Sequence, residues 1–178
     1  MKLGEDYLSV LGSKTKGALL AELVRFSHQL GFEYVSAMSA FDHAGGEPEF
    51  ISVDNTPEGY VDAANDLGAG KRDPVMQHCK YKSVPIVWNQ ATYVEAGQAT
   101  KWEQQAQHGY ACGIAWAMHM PAGRHFVLGV DRAQALPACS AELSRMVSTL
   151  QLFAVHAQEA MSALVEASRI TGPALTRR

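Results

Sequence analysis

Two apolar segments joined by a short turn constrain the fold of this chain most. The segments "GIAWAMHM" and "HFVLGVD" flank "PAGR", where Pro121 and Gly123 are typical turn residues. A second pair, "FEYVSAMSAF" and "EFISV", is separated by a loop containing Gly-Gly, which predicts another hairpin over residues 32–53. With "VPIVW" as a short additional strand, the pattern predicts an antiparallel sheet.

Helical segments lie before, between and after these strands. "SKTKGALLAELVRFSHQLG" has apolar residues at helical spacing, with Ser13 or Thr15 as N-cap and Gly31 as a stop. "TPEGYVDAANDLG", "DPVMQHCKY" and "TKWEQQAQHG" predict shorter helices, and a long helix is predicted from residue 140 to about residue 167. The order of elements favours an α/β (α+β) fold in which helices pack against the sheet.

Composition limits the class of protein. The 178 residues suit a single domain, and 47% hydrophobic with 19% charged residues is typical of a folded globular chain. With no signal peptide and no apolar run of membrane-spanning length, we expect a cytoplasmic protein without a membrane partner. The net charge of -3 gives no basic surface for nucleic acid in this segment.

Catalytic and metal-binding patterns are weak. Adjacent His78 and Cys79 point about 100° apart on a helix, which argues against a shared ion or a nucleophile pair. His119 and His125 flank the turn at Pro121 and Gly123 without an obvious third ligand. We therefore predict no metal, no catalytic residue and no enzyme, with a small hydrolase using Cys112 or Cys79 as a weaker alternative.

Asp73 has two interpretations. An aspartate directly before a proline is an ordinary helix N-cap, which stabilises a helix by about 1 kcal/mol. The same carboxylate also lies close in sequence to several aromatic residues. This combination is typical of an apolar pocket in which one hydrogen-bond acceptor orients a ligand. The aromatic residues within fifty positions of it are Tyr60, Trp88, Tyr93, Trp102 and Tyr110. Because aromatic residues also fill ordinary cores, composition alone leaves both interpretations open.

Three stretches carry a family resemblance. "NTPEGYVDAANDLGAGKRDPVMQHCKYKSVPIVW", "EQQAQHGYACGIAW" and "LVEASRITGPALTRR" resemble the autoinducer-binding domain of LuxR-type quorum-sensing regulators, from about residue 31 to residue 178. The D-P and P-x-x-W motifs carry it, with a helix-to-strand join at Ala106, Gly109 and Gly113 that is one residue short of strict spacing. "LTRR" resembles the start of the family's helix-turn-helix domain, so we expect a ligand-binding domain over residues 1–170 and a linker over 171–178.

The resemblance implies a fold and a site. The fold is an α-β-α sandwich with about five antiparallel strands and helices on both faces, enclosing an N-acyl homoserine lactone. Asp73 would accept a hydrogen bond from the ligand amide, and Trp88 would pack over the lactone ring. Departures from the family pattern at Tyr60, Ala64, Val75 and Gly129 fit a longer or bulkier acyl group, a different signal, or a receptor that no longer needs ligand. The predicted ligand-binding residues are Met38, Tyr60, Ala64, Asp73, Val75, Met76, Trp88, Trp102, Tyr110, Ala115 and Gly129.

The resemblance also implies partners. These are a small-molecule autoinducer in place of any cofactor, a second copy of the chain, and promoter DNA through a C-terminal domain absent from this segment. The apolar stripe through Leu150 and Met161 of the long helix is one candidate for the homodimer seam, and packing within the domain is the other. The alternative function is a stand-alone domain that modulates other regulators through protein contacts.

Overall fold

The computed structural model describes residues 5–41, 49–57, 60 and 72–171. Its strands are β1 (Tyr34–Phe41), β2 (Glu49–Asp54), β3 (Ile86–Trp88), β4 (Cys112–Met120) and β5 (Arg124–Arg132). Its helices are α1 (Glu5–Leu8), a 3-10 turn (Ser9–Gly12), α2 (Lys16–Gln29), α3 (Pro74–Tyr81), α4 (Gln90–Glu95), α5 (Ala99–Ala106) and α6 (Ser140–Thr171).

The five strands form one antiparallel sheet in the order β2-β1-β5-β4-β3. Both predicted hairpins are present, as β1 with β2 and β4 with β5. The second hairpin turns through Ala122 and Gly123, which have φ angles of 62° and 65°. Two consecutive residues in the left-handed region match the right-handed twist of the strands on either side, and glycine adopts this conformation without strain.

One face of the sheet carries the larger hydrophobic core. Alternation along β4 and β5 directs Ile114, Trp116, Phe126, Leu128 and Val130 to this face, where α2 and α6 cover them. Phe26 of α2 and Phe153 of α6 stack with ring centroids 3.7 Å apart. This core is mainly apolar, as the helical spacing of residues in α2 and α6 predicts, and Ser27 and Gln158 are polar side chains buried on these two helices.

The long helix α6 has 32 residues and ends at Thr171, four residues beyond the predicted end. Of the two candidates for the stripe through Leu150 and Met161, the structure favours packing within the domain, because these residues are only 1% and 0% exposed. Leu152 and Val155 lie on another side of the helix and are 37% and 43% exposed. The solvent-facing apolar surface of α6 is therefore displaced from the predicted stripe.

Helices α3, α4 and α5 cover the opposite face of the sheet, so helices lie on both faces and the predicted fold is confirmed. The sequence pattern did not predict α1, the 3-10 turn or α4. The predicted helix over residues 56–68 lies mostly outside the described residues, as do residues 172–178 of the predicted linker. None of the described helices combines the length and apolar character that crossing a membrane requires.

Candidate functional site

The second face of the sheet has a floor of small side chains. On β4, Gly113, Ala115 and Ala117 point to this face, because their neighbours point into the larger core. The register pairs Ala115 with Gly129 and Gly113 with Asp131. Small residues on the two central strands leave room above the sheet that the helices and their aromatic side chains occupy.

The side chains above this floor form what we call the aromatic cluster. Its buried members are Val75, Cys79, Trp88, Tyr93, Tyr110, Ala115 and Ala117, and its partly buried members are Tyr34, Tyr60, Ile86, Trp102 and Val127. Tyr110 stacks between Tyr60 and Tyr34, with ring centroids 4.4 Å and 4.7 Å away. Trp88 meets Tyr93 edge-on at 5.6 Å. Rings from the sheet, from α4 and from the segment around Tyr60 thus converge over one floor.

Asp73 divides its two carboxylate oxygens between two roles. Oδ1 accepts hydrogen bonds from the backbone N–H groups of Val75 at 2.9 Å and Met76 at 3.0 Å, which is the N-cap of α3. Oδ2 accepts from the Tyr93 hydroxyl at 3.0 Å and lies 2.8 Å from Lys101 Nζ. The residue is only 7% exposed, so the cap also presents a buried acceptor to the aromatic cluster.

A polar chain behind Asp73 holds it in place. Gln105 is 5% exposed and donates to the Tyr93 hydroxyl, which in turn donates to Asp73. Lys101 lies one helical turn before Gln105 on α5, on the same helix face. The Trp102 indole N–H donates to Ala111 O at 2.8 Å and ties α5 to the segment that leads into β4. Because each partner is itself bonded, the Asp73 carboxylate has a fixed orientation.

A second carboxyl group, from Asp131, lies at the end of the floor. A Cβ atom placed on Gly113 would be 2.5 Å from Asp131 Oδ1 and 2.8 Å from Trp88 Nε1, so only glycine fits there. Burial, with the negative charge of Asp73 second, raises the pKa of Asp131 to about 8. Asp131 is therefore mostly protonated at neutral pH and can donate as well as accept.

Four other titratable groups of the cluster, three tyrosines and one cysteine, have raised pKa values and remain protonated at neutral pH. Burial raises the pKa of Tyr60 to about 12, and the charges of Asp131 and Asp73 add to it. Burial raises the pKa values of Tyr93 and Tyr110 as well. Burial also raises the pKa of the Cys79 thiol to about 11, which makes that thiol a poor nucleophile. The site is equipped to form hydrogen bonds and shows no activated nucleophile among these groups.

The structure brings most of the predicted site residues together. Asp73 contacts the aromatic cluster, which includes Tyr60, Val75, Trp88, Trp102, Tyr110 and Ala115. Gly129 lies on the floor beside Ala115, and Met38 on β1 pairs with Val127 on the same face. Met76 is placed differently: its side chain is 39% exposed, because one step along α3 turns it about 100° from buried Val75. Ala64 lies outside the described residues.

Sequence reasoning missed Lys101, Gln105 and Asp131. The signal for the first two was the helical spacing of Lys101 and Gln105, which places both on the α5 face that meets Asp73. The signal for Asp131 was strand alternation, since it follows Val127 and Gly129 at steps of two. Both signals concern polar residues, whereas the predicted site residues were mostly aromatic or apolar.

The histidine and cysteine patterns gain no support from the geometry. His78 Nε2 lies 2.7 Å from Val84 O, and His119 and His125 approach each other at 2.9 Å between their Nδ1 atoms. Across residues 5–41, 49–57, 60 and 72–171, no three His, Cys, Asp or Glu side chains form a group that could hold a metal ion.

A buried carboxylate and several hydroxyl groups between a sheet and a helical layer are the kind of polar groups that orient a small molecule in a ligand-binding domain. The chain belongs to the autoinducer binding domain family, whose family model matches residues 15–161. The predicted family is thus confirmed. Its members are ligand-binding domains of LuxR-type transcriptional regulators and not enzymes.

Individual proteins agree with this assignment. The transcriptional activator AhyR of Aeromonas hydrophila is 28% identical over 136 residues, which are 72% of this chain and 52% of AhyR. The chain thus spans about half the length of the curated relatives it matches. The solved structure of CepR2 from Burkholderia cenocepacia has a TM-score of 0.76 at 22% identity, covering 90% of this chain and 94% of that one. Escherichia coli SdiA has a TM-score of 0.73 at 21% identity, covering 96% and 70%.

Proposed function

We propose that this chain is the sensor domain of a quorum-sensing transcriptional regulator. It binds an N-acyl homoserine lactone or a related acylated signal between the sheet and helices α3 to α5. Ligand binding controls homodimerisation and promoter binding through an attached helix-turn-helix domain, in the cytoplasm where the regulator meets its DNA. The observation that carries the proposal is Asp73, whose Oδ2 atom is buried against the aromatic cluster while Oδ1 caps α3.

The chemistry of the cluster matches an acylated amide. Asp73 Oδ2 is the acceptor for an amide N–H, and the Trp88 indole N–H beside Gly113 is a donor for a carbonyl oxygen. The acyl chain would lie over the small floor residues Ala115 and Gly129, which are paired on the two central strands. CepR2 is described as dependent on N-acylhomoserine lactone, and SdiA has been solved in complex with octanoyl-rac-glycerol. Both compounds carry an acyl chain, which supports the same ligand class here.

Asp73→Asn tests the proposal, because asparagine caps a helix as well as aspartate does but lacks the negative charge. We expect the substitution to weaken binding of N-acyl homoserine lactones by about tenfold or more, in line with a lost charge-assisted hydrogen bond. The melting temperature without ligand should fall only slightly. Binding is measured by calorimetry and stability by thermal unfolding.

Asp54→Asn is the matched control, because Asp54 Oδ1 also accepts a backbone N–H, from Thr56, but lies at the end of β2. This variant should bind ligand like the unaltered chain. If Asp73→Asn lowered the ligand-free melting temperature as strongly as it weakened binding, Asp73 would be a helix cap only and the proposed function would lose its main support.

A further inference from the structure

Asp131 is the second carboxyl group of the site. It lies on β5 opposite Gly113 of β4, and Gly113 also pairs with Trp88 of β3. Within the part of the chain that the structure describes, no Lys, Arg or His side chain forms an ion pair with Asp131, whereas Asp73 lies 2.8 Å from Lys101 Nζ. Among the described residues, the charge of Asp73 is therefore balanced and that of an ionised Asp131 is not.

Aromatic side chains lie close to the Asp131 carboxyl group. A Cβ atom placed on Gly113 would be 2.5 Å from Asp131 Oδ1 and 2.8 Å from Trp88 Nε1, so the acid and the indole approach the same point. Burial, and after it the negative charge of Asp131, raises the pKa of Tyr60 to about 12. The same two effects raise the pKa of Tyr110, whose ring stacks on that of Tyr60 at 4.4 Å. One carboxyl group thus lies near three aromatic side chains.

A carboxylate among aromatic rings is well suited to binding an ammonium group. The faces of Trp and Tyr rings are negatively polarised and attract a cation within about 6 Å of the ring centroid, and quaternary ammonium ligands are recognised in this way. A carboxylate adds a full opposite charge, which acts most strongly where water is excluded. The same groups offer a neutral ligand no such charge interaction.

An ammonium group would also change the protonation of Asp131. Burial, with the charge of Asp73 second, raises the pKa of Asp131 to about 8, so this carboxyl group is mostly protonated at neutral pH. A neighbouring positive charge favours the ionised form, and Asp131 would therefore release its proton as the ammonium group binds. Because one positive charge enters and one proton leaves, the net charge of the site stays the same.

We propose that this site selects acylated ligands that carry an ammonium group, with Asp131 as the counter-ion inside the aromatic cluster. The inference rests on the proposed function, since it assumes that the ligand occupies this cluster. It leaves Lys101 in place with all its contacts, so the buried Asp73 carboxylate keeps its partner. Tyr60 is only partly buried, whereas Tyr110 is 8% exposed, so the Tyr60 ring is the one that shifts to admit the ammonium group.

Two probes of the same shape, one charged and one neutral, test the inference. The charged probe is an octanoyl amide whose nitrogen carries a 2-(trimethylammonio)ethyl group. The neutral probe, N-(3,3-dimethylbutyl)octanamide, has a carbon atom in place of the charged nitrogen, and N-octanoyl-homoserine lactone is the reference ligand. Calorimetry measures their affinities for the unaltered chain, for Asp131→Asn and for the control Glu103→Gln, which removes an exposed acid of helix α5.

We expect the unaltered chain and Glu103→Gln to bind the charged probe at least about tenfold more tightly than the neutral one at about pH 7.5. Asp131→Asn should lose most of this preference and bind the neutral probe as before, since the amide has the same shape without the charge. No preference in the unaltered chain, or a full preference in Asp131→Asn, overturns the inference, and the proposed function stands if the lactone binds. Failure of all three ligands to bind the unaltered chain overturns both.

Proton release gives a second test, which needs only the unaltered chain. The trimethylammonium group does not titrate, so a proton released on binding comes from the protein. Calorimetry in two buffers of different ionisation enthalpy should detect about one proton for the charged probe at about pH 6.5 and none for the neutral probe. The affinity for the charged probe should rise by up to about tenfold between about pH 6.5 and 7.5, as the Asp131 proton becomes easier to remove. Absence of proton release overturns the inference.

His108 is the group most able to imitate this result, because its ring lies 5.5 Å from that of Tyr60. The other titratable or charged groups around Asp131 are Asp73, Lys101, Tyr60, Tyr93, Tyr110, Cys79 and Cys112. Burial raises the pKa values of these tyrosines and cysteines, so they stay protonated across the pH range of the test. Proton release that persists in Asp131→Asn would come from another group such as His108 and would overturn the role of Asp131.

Discussion

At the scale of single residues, Asp131 links the candidate site to pH. Its carboxyl group is held over the floor near Trp88, Tyr60, Tyr110 and Asp73, and burial raises its pKa to about 8. In the unfolded chain an aspartate titrates near its ordinary pKa of about 3.9. Between these two values the folded protein keeps a proton that the unfolded chain has released. The folded state therefore loses stability as the pH rises from about 4 to about 8, and the loss levels off above that.

Asp131→Asn should remove this pH dependence, because the amide does not titrate. We expect the free energy of unfolding of the unaltered chain to fall by at most about 1.4 kcal/mol per pH unit across the window, with a flatter profile for the variant. Urea unfolding at four pH values between about 5 and 8 measures both profiles. Parallel profiles would show that Asp131 is ionised in the folded domain.

The sequence predicted the aromatic residues of the site better than its charged ones. Trp88 and Tyr110 could be predicted because aromatic residues are few in a sequence and are usually buried in a pocket or a core. Lys101 and Asp131 could not be predicted as site residues, since charged residues ordinarily lie on the surface. Only the three-dimensional approach of α5 to the N-terminus of α3 brings Lys101 within 2.8 Å of Asp73, and that approach is a tertiary contact without a local signature.

At the scale of elements, the short helix α4 positions Tyr93 against Asp73. Asn89 caps it by accepting a hydrogen bond from the Ala91 N–H at 2.9 Å, and the Thr92 hydroxyl accepts one from the Asn89 N–H at 3.2 Å. A helix of six residues has little stability of its own, so it depends on such caps and on packing.

Asn89→Ala should lower the free energy of unfolding by about 1 kcal/mol, because the first turn of α4 loses its cap. Ligand affinity should fall as well, since Tyr93 would be held less firmly against Asp73. Chemical unfolding and ligand titration measure the two effects. Asn89→Asp keeps a capping oxygen and serves as the control; equal losses in both variants would show that the cap is not what matters.

Whether a helix or strand could be predicted depended on its length and on the residues at its ends. Helices α2 and α3 were predicted from their spacing and caps: Asp73 is the predicted N-cap of α3, and of the two candidates for α2, Ser13 and Thr15, the cap is Thr15. Helix α4 was missed because "QATYVE" is too short for a helical period and contains residues that favour strands. The hairpins were predicted because each has turn residues between two apolar runs.

At the scale of the whole molecule, α6 offers a surface for pairing. Leu152 and Val155 are 37% and 43% exposed, and α6 packs beside α1 and the 3-10 turn, whose Leu8 and Leu11 are also exposed. Exposed apolar residues on neighbouring elements favour association with another protein surface. We therefore expect a homodimer of the proposed function to use this surface and not the buried stripe.

Leu152→Glu combined with Val155→Glu should weaken a ligand-saturated dimer at least tenfold in its dissociation constant, because two charges would have to be buried at the contact. Sedimentation at micromolar concentration measures the association, and circular dichroism checks the fold. If the unaltered domain is already a monomer with ligand bound, pairing does not use this surface.

The central sheet divides the buried side chains of the domain into two groups. It separates an apolar core, covered by α2 and α6, from a polar and aromatic cluster under α3, α4 and α5. Substitutions in the cluster alter what the domain recognises, while the residues that contribute most of the burial are on the far side of the strands. We therefore expect substitutions in the cluster to change what the domain binds at a smaller cost in folding stability than substitutions of the large side chains in the other core.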